Sequence, residues 1–277
     1  MGDAGARMRL ARALLVAALA LAVTASAHGR SHAESCQDIS TYKPLIGTVG
    51  GGGSFLSVPI VIHIMERPGP GQACGVRQSW TREQVAIVFG AGTEDERGVN
   101  SIWGPAGIRF SIREILLHKF RPPAGMLESV PGGPRGANKF ETDFRKLVTT
   151  FHRPGSVNVY LWDLIPGTLM GFGRSPRSGR GKATVWLDEV CVSDLVEPPD
   201  CARAAAHELG HALGLYHANP DECGAVQAKH RTLCRTLAKP CGESDNHDRL
   251  MAAEIIGGRK VCPAEETAAK AMAAELQ

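Results

Sequence analysis

The stretch from His207 to His217, "HELGHALGLYH", constrains this chain more than any other. His207 and His211 are four residues apart. On an α-helix that spacing places them about 40° apart around the axis and about 6 Å apart along it, so both rings project from one face. His217 breaks the pattern. A continued helix would carry it about 240° around from His211 and about 9 Å further on. Gly214 stands between them, and glycine readily adopts the left-handed backbone that ends a helix. A bend there returns His217 to the other two rings. Three imidazoles around one point, with a fourth position open, form the donor set of a catalytic zinc. Glu208, next to the first of them, would stand beside the metal as a proton acceptor.

The eleven residues fit H-E-x-x-H-x-x-G-x-x-H and resemble the long zinc-binding signature of the metzincin metallopeptidases. The bare H-E-x-x-H arises by chance on helices, whereas this form fixes five positions. The resemblance implies an α+β catalytic domain with a mixed twisted sheet, an active-site helix and a C-terminal helix. It implies Zn2+ on His207, His211 and His217, with Glu208 as general base. It also implies a tight turn with a methionine beneath the ligands. Met251, in "NHDRLMAA", is the one methionine between the third histidine and the final helix. It would form a soft apolar floor under the imidazoles; the plainer reading is an ordinary core methionine. Some metzincins have a tyrosine just after this methionine, but Ala252 and Ala253 follow here. "ACGVRQ", Ala73 to Gln78, resembles the Cys-Gly core of the matrix-type latency switch. It lacks the flanking proline, arginine and aspartate, so Cys74 is read as a disulfide partner.

The N-terminus carries Arg7, Arg9 and Arg12, then an apolar run from Leu10 to Val23, then Ala25-Ser26-Ala27. That is the layout of a secretory signal cleaved near Ala27, and the run falls short of the roughly 20 residues a spanning helix needs. The expected destination is therefore secreted or otherwise extracytoplasmic, with no membrane span in the mature chain. Eight cysteines, all after residue 27, suit up to four disulfides in an oxidising compartment. Their connectivity is not readable from spacing, and no C-x-x-C pair points to a second metal site. The formal charge of +3 is too slight to imply a nucleic-acid partner.

Three segments follow: a signal over 1–27, a flexible polar and glycine-rich stretch over 28–53, and one catalytic domain over 54–277. "FLSVPIVIHIM", Phe55 to Met65, reads as a strand, with His63 a packed strand residue. Thr81 is a plausible N-cap for a helix reaching Trp103, although three glycines weaken it. "GIRFSIREI" and "SVNVYLWDLI" read as the second and third strands, with a surface loop over 121–138 and a short helix in "NKFETDFRKLVTTFH" between them. A basic glycine-rich loop leads into a fourth strand, Ala183 to Leu187. By resemblance, "KATVWLDE" is expected at the sheet edge, where it would pair with an extended peptide. Asp200 is expected to cap the helix that carries His207, and the stretch after His217 reads as a long loop stapled by cysteines. "RKVCPAEETAAKAMAAEL" reads as a final helix, with Pro263 near its first turn.

These features together indicate an exported zinc endopeptidase acting on protein or peptide substrates. Two rivals use the same residues: a zinc-containing binding protein without turnover, and a zinc hydrolase of a non-peptide amide. An intact Glu208 argues against the first, because a silent site needs no base.

Overall fold

The computed structural model describes residues 38–42, 55–68, 75–78, 80–89, 98–119, 148–162, 171–176, 182–188, 191, 198–224, 226–239, 249–252, 258 and 260–276. The expected signal over 1–27 and the loop over 121–138 lie outside them, as does most of the short helix expected between the second and third strands. No helix among the described residues is long and apolar enough to cross a membrane.

Among the described residues seven strands form one mixed sheet: β1 (Asp38–Tyr42), β2 (Leu56–Pro68), β3 (Gly75–Gln78), β4 (Ile108–Lys119), β5 (Val157–Trp162), β6 (Gly171–Arg174) and β7 (Thr184–Asp188). Their order is β1-β4-β2-β5-β7-β6, with β3 paired to the end of β2. The four central strands run parallel, while β1, β3 and β6 run antiparallel to their neighbours. Parallel strands are buried on both faces, and their sequences show it as near-continuous apolar, β-branched runs. In β2, Ile60, Ile62 and Ile64 join the main core, while Val61, His63 and Met65 are buried on the opposite side.

The helices are α1 (Arg82–Phe89), α2 (Val99–Trp103), α3 (Pro198–Ala212), α4 (Arg231–Leu237) and α5 (Pro263–Leu276). Helices and one mixed sheet agree with the α+β expectation. At the start of α1, Gln84 N–H donates to Thr81 Oγ1 at 3.2 Å, and Thr81 N–H donates to Gln84 Oε1 at 2.8 Å. This is a reciprocal capping box, with Gln in place of the commoner Glu. Helix α3 buries Ala202, Ala204, Ala205, Ala206 and Leu209, and small side chains on this scale let its backbone lie close to the sheet. The Trp103 indole N–H donates to Ala206 O at 3.1 Å, tying α2 to its middle. A disulfide between Cys191 and Cys201 fastens its first turns to the segment after β7.

Several expectations need correction. The stretch 28–53, read as a linker, contributes β1, and "GVRQ" of the supposed switch-like segment is β3. The single helix expected from Thr81 to Trp103 is two, α1 and α2, with 90–97 outside the described residues. Helix α3 begins at Pro198, so Asp200 sits inside its first turn, paired with Arg203, and is not the N-cap. The strand expected at the edge, β7, is interior; the edge beyond it is β6. The stretch after His217 is not loop throughout: it holds α4, joined by the Cys223–Cys234 disulfide to the turn at Pro220–Gly224.

Candidate metal centre

His207 and His211 lie one turn apart on α3, and the helix ends one residue after His211. Gly214 then takes φ 83°, the left-handed conformation. Leu215 N–H donates to Gly210 O at 3.0 Å, and Gly214 N–H donates to His211 O at 3.0 Å. This pair of bonds is the Schellman pattern with glycine at its left-handed position. The chain turns back, and His217 arrives beside the other two rings.

One nitrogen from each of the three histidines lies within 4.8 Å of the others. His211 Nε2 and His217 Nε2 are 3.0 Å apart. On the outer side, His207 Nδ1–H donates to Leu250 O at 2.7 Å and His211 Nδ1–H donates to Leu215 O at 3.0 Å. A backbone carbonyl only accepts, so each Nδ1 carries the proton and each Nε2 keeps its lone pair inward. Burial, with His207 and His217 as neighbours, holds His211 well below the usual imidazole range and hence neutral. Without a metal, His217 Nε2–H can donate to the His211 lone pair across their 3.0 Å; a cation among the rings would take that proton's place. The triad therefore fits a metal ion by donor chemistry as well as by geometry.

Glu208 faces the sheet side and is 4% exposed. Burial pushes its carboxyl up to about 8, and the Gly173 backbone N–H that donates to it acts in the opposite direction. Its Oε2 has no hydrogen-bond partner among the described residues. A cation held by the three rings would favour the ionised carboxylate.

The donor from Gly173 depends on how closely β6 lies on α3. A β-carbon on Gly173 would sit 2.0 Å from Glu208 O and 2.7 Å from His211 Cβ. One on Gly171 would sit 2.5 Å from Trp186 O. At Gly173 strand backbone meets helix backbone, whereas Gly171 is crowded by Trp186 O and by the Leu187 and Glu208 side chains. Sequence reading did not single out either glycine; the signal available was a G-x-G pair with strand spacing.

Met251 is fully buried below the triad's helix, and a β-carbon on Gly210 would lie 2.5 Å from its Sδ. Glycine at position 210 thus lets the turn at 249–252 reach α3. Met251 O accepts from Ala218 N–H at 2.7 Å, immediately after His217, and Leu250 O accepts from His207. One turn therefore steadies His207 and the segment that carries His217. The sequence reads His63 as a packed strand residue and His247 as a loop histidine, neither of them a ligand. His63 lies in the sheet, bonded to His118 and Asn158, and His247 is outside the described residues.

No protein-family model matches the chain. A stretch of 78 residues is 32% identical to proteins called "Extracellular metalloprotease" from Arthroderma benhamiae and from Trichophyton verrucosum. The match covers 26% of this chain and 26% of each relative, so it spans about a quarter of their length.

Proposed function

We propose that this chain is an exported, metzincin-like zinc endopeptidase, with its catalytic domain over 54–277 and a cleaved signal over 1–27. The observation that carries this reading is the convergence of His207, His211 and His217 beside a buried carboxylate, Glu208. The partial likeness to extracellular metalloproteases supports it, as do the paired cysteines.

In this reading His207, His211 and His217 would hold Zn2+, which would supply a Lewis acid for the scissile carbonyl and for water. Glu208 does the proton work. Its carboxylate takes a proton from the attacking water as the new C–O bond forms. It then delivers that proton to the amine nitrogen as the C–N bond breaks. The Gly173 N–H on one carboxylate oxygen fixes the side chain and leaves the other oxygen for the proton. Strand β6 is the sheet edge nearest this carboxylate, and an extended peptide would pair along it by backbone hydrogen bonds. Met251 serves as the apolar floor, and Gly214 as the bend that delivers His217.

A peptide-library digest read by mass spectrometry tests this reading, run with and without a chelator. Internal cleavage that stops on chelation and returns with zinc is the expected result. Bound zinc without cleavage would favour a silent binding protein. Turnover confined to non-peptide amides would favour the other hydrolase.

A further inference from the structure

Arg249 and Glu265 are the most thoroughly enclosed ion pair among the described residues, 1% and 0% exposed. Arg249 Nη2 donates to Glu265 Oε1 at 2.6 Å and also to Leu237 O. Its Nη1 donates to Lys239 O at 3.0 Å. Glu265 is engaged on its other oxygen, since Oε2 accepts from Cys262 N–H at 2.8 Å at the start of α5. One guanidinium thus joins the end of α4, the first turn of α5 and the turn that holds Leu250 and Met251.

A buried ion pair is a poor source of stability, because dehydrating two charges offsets most of their attraction; well-packed apolar side chains often do as well. What the pair does supply is a single geometry. The guanidinium fork is planar, and its partners here, two carbonyls and a carboxylate, leave its backbone little freedom. The next residue is Leu250. Its N–H donates to Lys260 O at 2.9 Å, and its carbonyl accepts from His207 Nδ1–H at 2.7 Å.

We infer that Arg249 and Glu265 are positioning residues for the metal centre. They clamp the turn so that the Leu250 carbonyl fixes the tautomer and tilt of His207. Neither touches the metal or the substrate. The inference rests on the triad being a metal site. It assigns the strength of that site to a contact two steps out, through the backbone.

The test is a pair of variants measured for metal affinity and folding separately. Arg249→Met/Glu265→Leu removes both charges together, so no lone charge is left buried. It also takes a partner from Leu237 O, Lys239 O and Cys262 N–H, so its melting temperature without metal should fall by several degrees while circular dichroism shows it still folded. Its zinc dissociation constant, by chelator competition, should rise at least about 10-fold, the lower range for losing an outer partner of a ligand. The cobalt(II) absorption bands should shift as well, which a purely structural role would not produce. Arg249→Lys keeps the charge and loses the fork, and should show the same weakening to a smaller degree. A folded double variant that binds zinc as tightly as the parent, with unchanged cobalt bands, overturns the inference and leaves the metal-site reading intact. If the double variant does not fold, Arg249→Lys decides by the same measurement, and parent-like affinity overturns it. A parent that binds neither ion removes the metal-site reading, and this inference falls with it.

Discussion

His63 Nδ1 and His118 Nε2 lie 2.9 Å apart inside the sheet, and the surrounding bonds dictate which ring donates. Asn158 Nδ2 donates to Arg153 O and Ser156 O, so its Oδ1 is an acceptor, and it accepts from Arg153 N–H. His63 Nε2, 2.9 Å from that oxygen, must carry a proton. Neutral His63 then accepts at Nδ1, and His118 donates from Nε2. A proton added to His63 would meet the one His118 already presents.

Acid should therefore loosen this sheet. Burial, then the His118 ring, pushes His63 down to about 3, with the Asn158 bond opposing and Arg153 and His152 adding. Burial, then Arg153, pushes His118 down to about 4. His152 is itself lowered, by burial and then Lys182, and Glu114 lies 3.7 Å from Arg153. Both folded values lie below the unfolded value near 6.5, so the unfolded chain binds more protons between them. Stability is full above about pH 6.5 and falls as pH drops toward 4 and 3. In chelator, Tm should drop by several degrees from pH 7 to 4, at roughly 2–4 °C for each kcal/mol lost in a domain this size. His118→Gln can still donate to His63 and removes one titrating ring, so its Tm should decline less steeply. An equally steep decline would locate the acid sensitivity elsewhere.

The close contact of β6 with α3 gives a second prediction. Gly173→Ala places a β-carbon against the backbone of Glu208, which cannot move aside as a flexible side chain would. The variant should lose about 1–3 kcal/mol, the usual range for overpacking. Peptide cleavage should fall more than the melting temperature suggests, because the N–H that holds Glu208 moves with the strand. Gly104→Ala is the control: nothing lies within 4 Å of its β-carbon, and its backbone is right-handed helical. It should match the parent within about 0.5 kcal/mol. Equal behaviour of the two variants in melting and cleavage assays would refute the contact.

What could be read in advance was local. The histidine spacing with Gly214 is settled within eleven residues, and β2, β5 and β7 announce themselves by β-branched apolar runs. What could not be read was pairing. Strand β6 has four residues, two of them glycine, and so carries almost no strand propensity of its own. It exists because β7 offers an edge and α3 a flat surface, and that is also why β7 is interior. Strand β1 pairs with a partner more than seventy residues away. Arg249 and Glu265 are sixteen residues apart, and no periodicity links a turn residue to the first turn of a helix.

The cysteines make a redox prediction. Cys191–Cys201 and Cys223–Cys234 are paired, Cys262 is also in a disulfide, and no free cysteine occurs among the described residues. Cys36, Cys74 and Cys241 are outside them. Protein made in an oxidising compartment should show no thiol to alkylating reagents under denaturation without reductant. Two or more labelled cysteines, located by peptide mapping, would contradict this and reopen Cys74 as a candidate metal-blocking thiol.

Gly214 at φ 83° predicts a loss of metal without a loss of fold. A side chain there costs about 1–2 kcal/mol in the left-handed region, more for a β-branched one. Gly214→Val should relieve that strain by shifting the segment that carries His217. Zinc retention against a chelator should weaken while circular dichroism stays near that of the parent. Parent-like retention together with full cleavage would mean the turn tolerates a β-carbon and does not set the third ligand.

The proposed mechanism gives Glu208 and His211 separable roles, chemistry and binding, on one helix. The carboxylate of Glu208 is held by Gly173 N–H, whereas His211 Nε2 faces the other two rings. Glu208→Gln keeps the size and much of the hydrogen bonding but cannot accept the proton from water. Zinc content should remain near one per chain, with peptide cleavage down at least about 10²-fold, the lower range for losing a positioned general base. His211→Ala removes one of the three proposed ligands, so zinc and cleavage should fall together. Metal analysis and cleavage rates on the same preparations distinguish the two. A Glu208→Gln protein that cleaves as fast as the parent removes Glu208 as the base. One that loses its zinc instead makes Glu208 a support of the metal site, and its rate then carries no information about proton transfer.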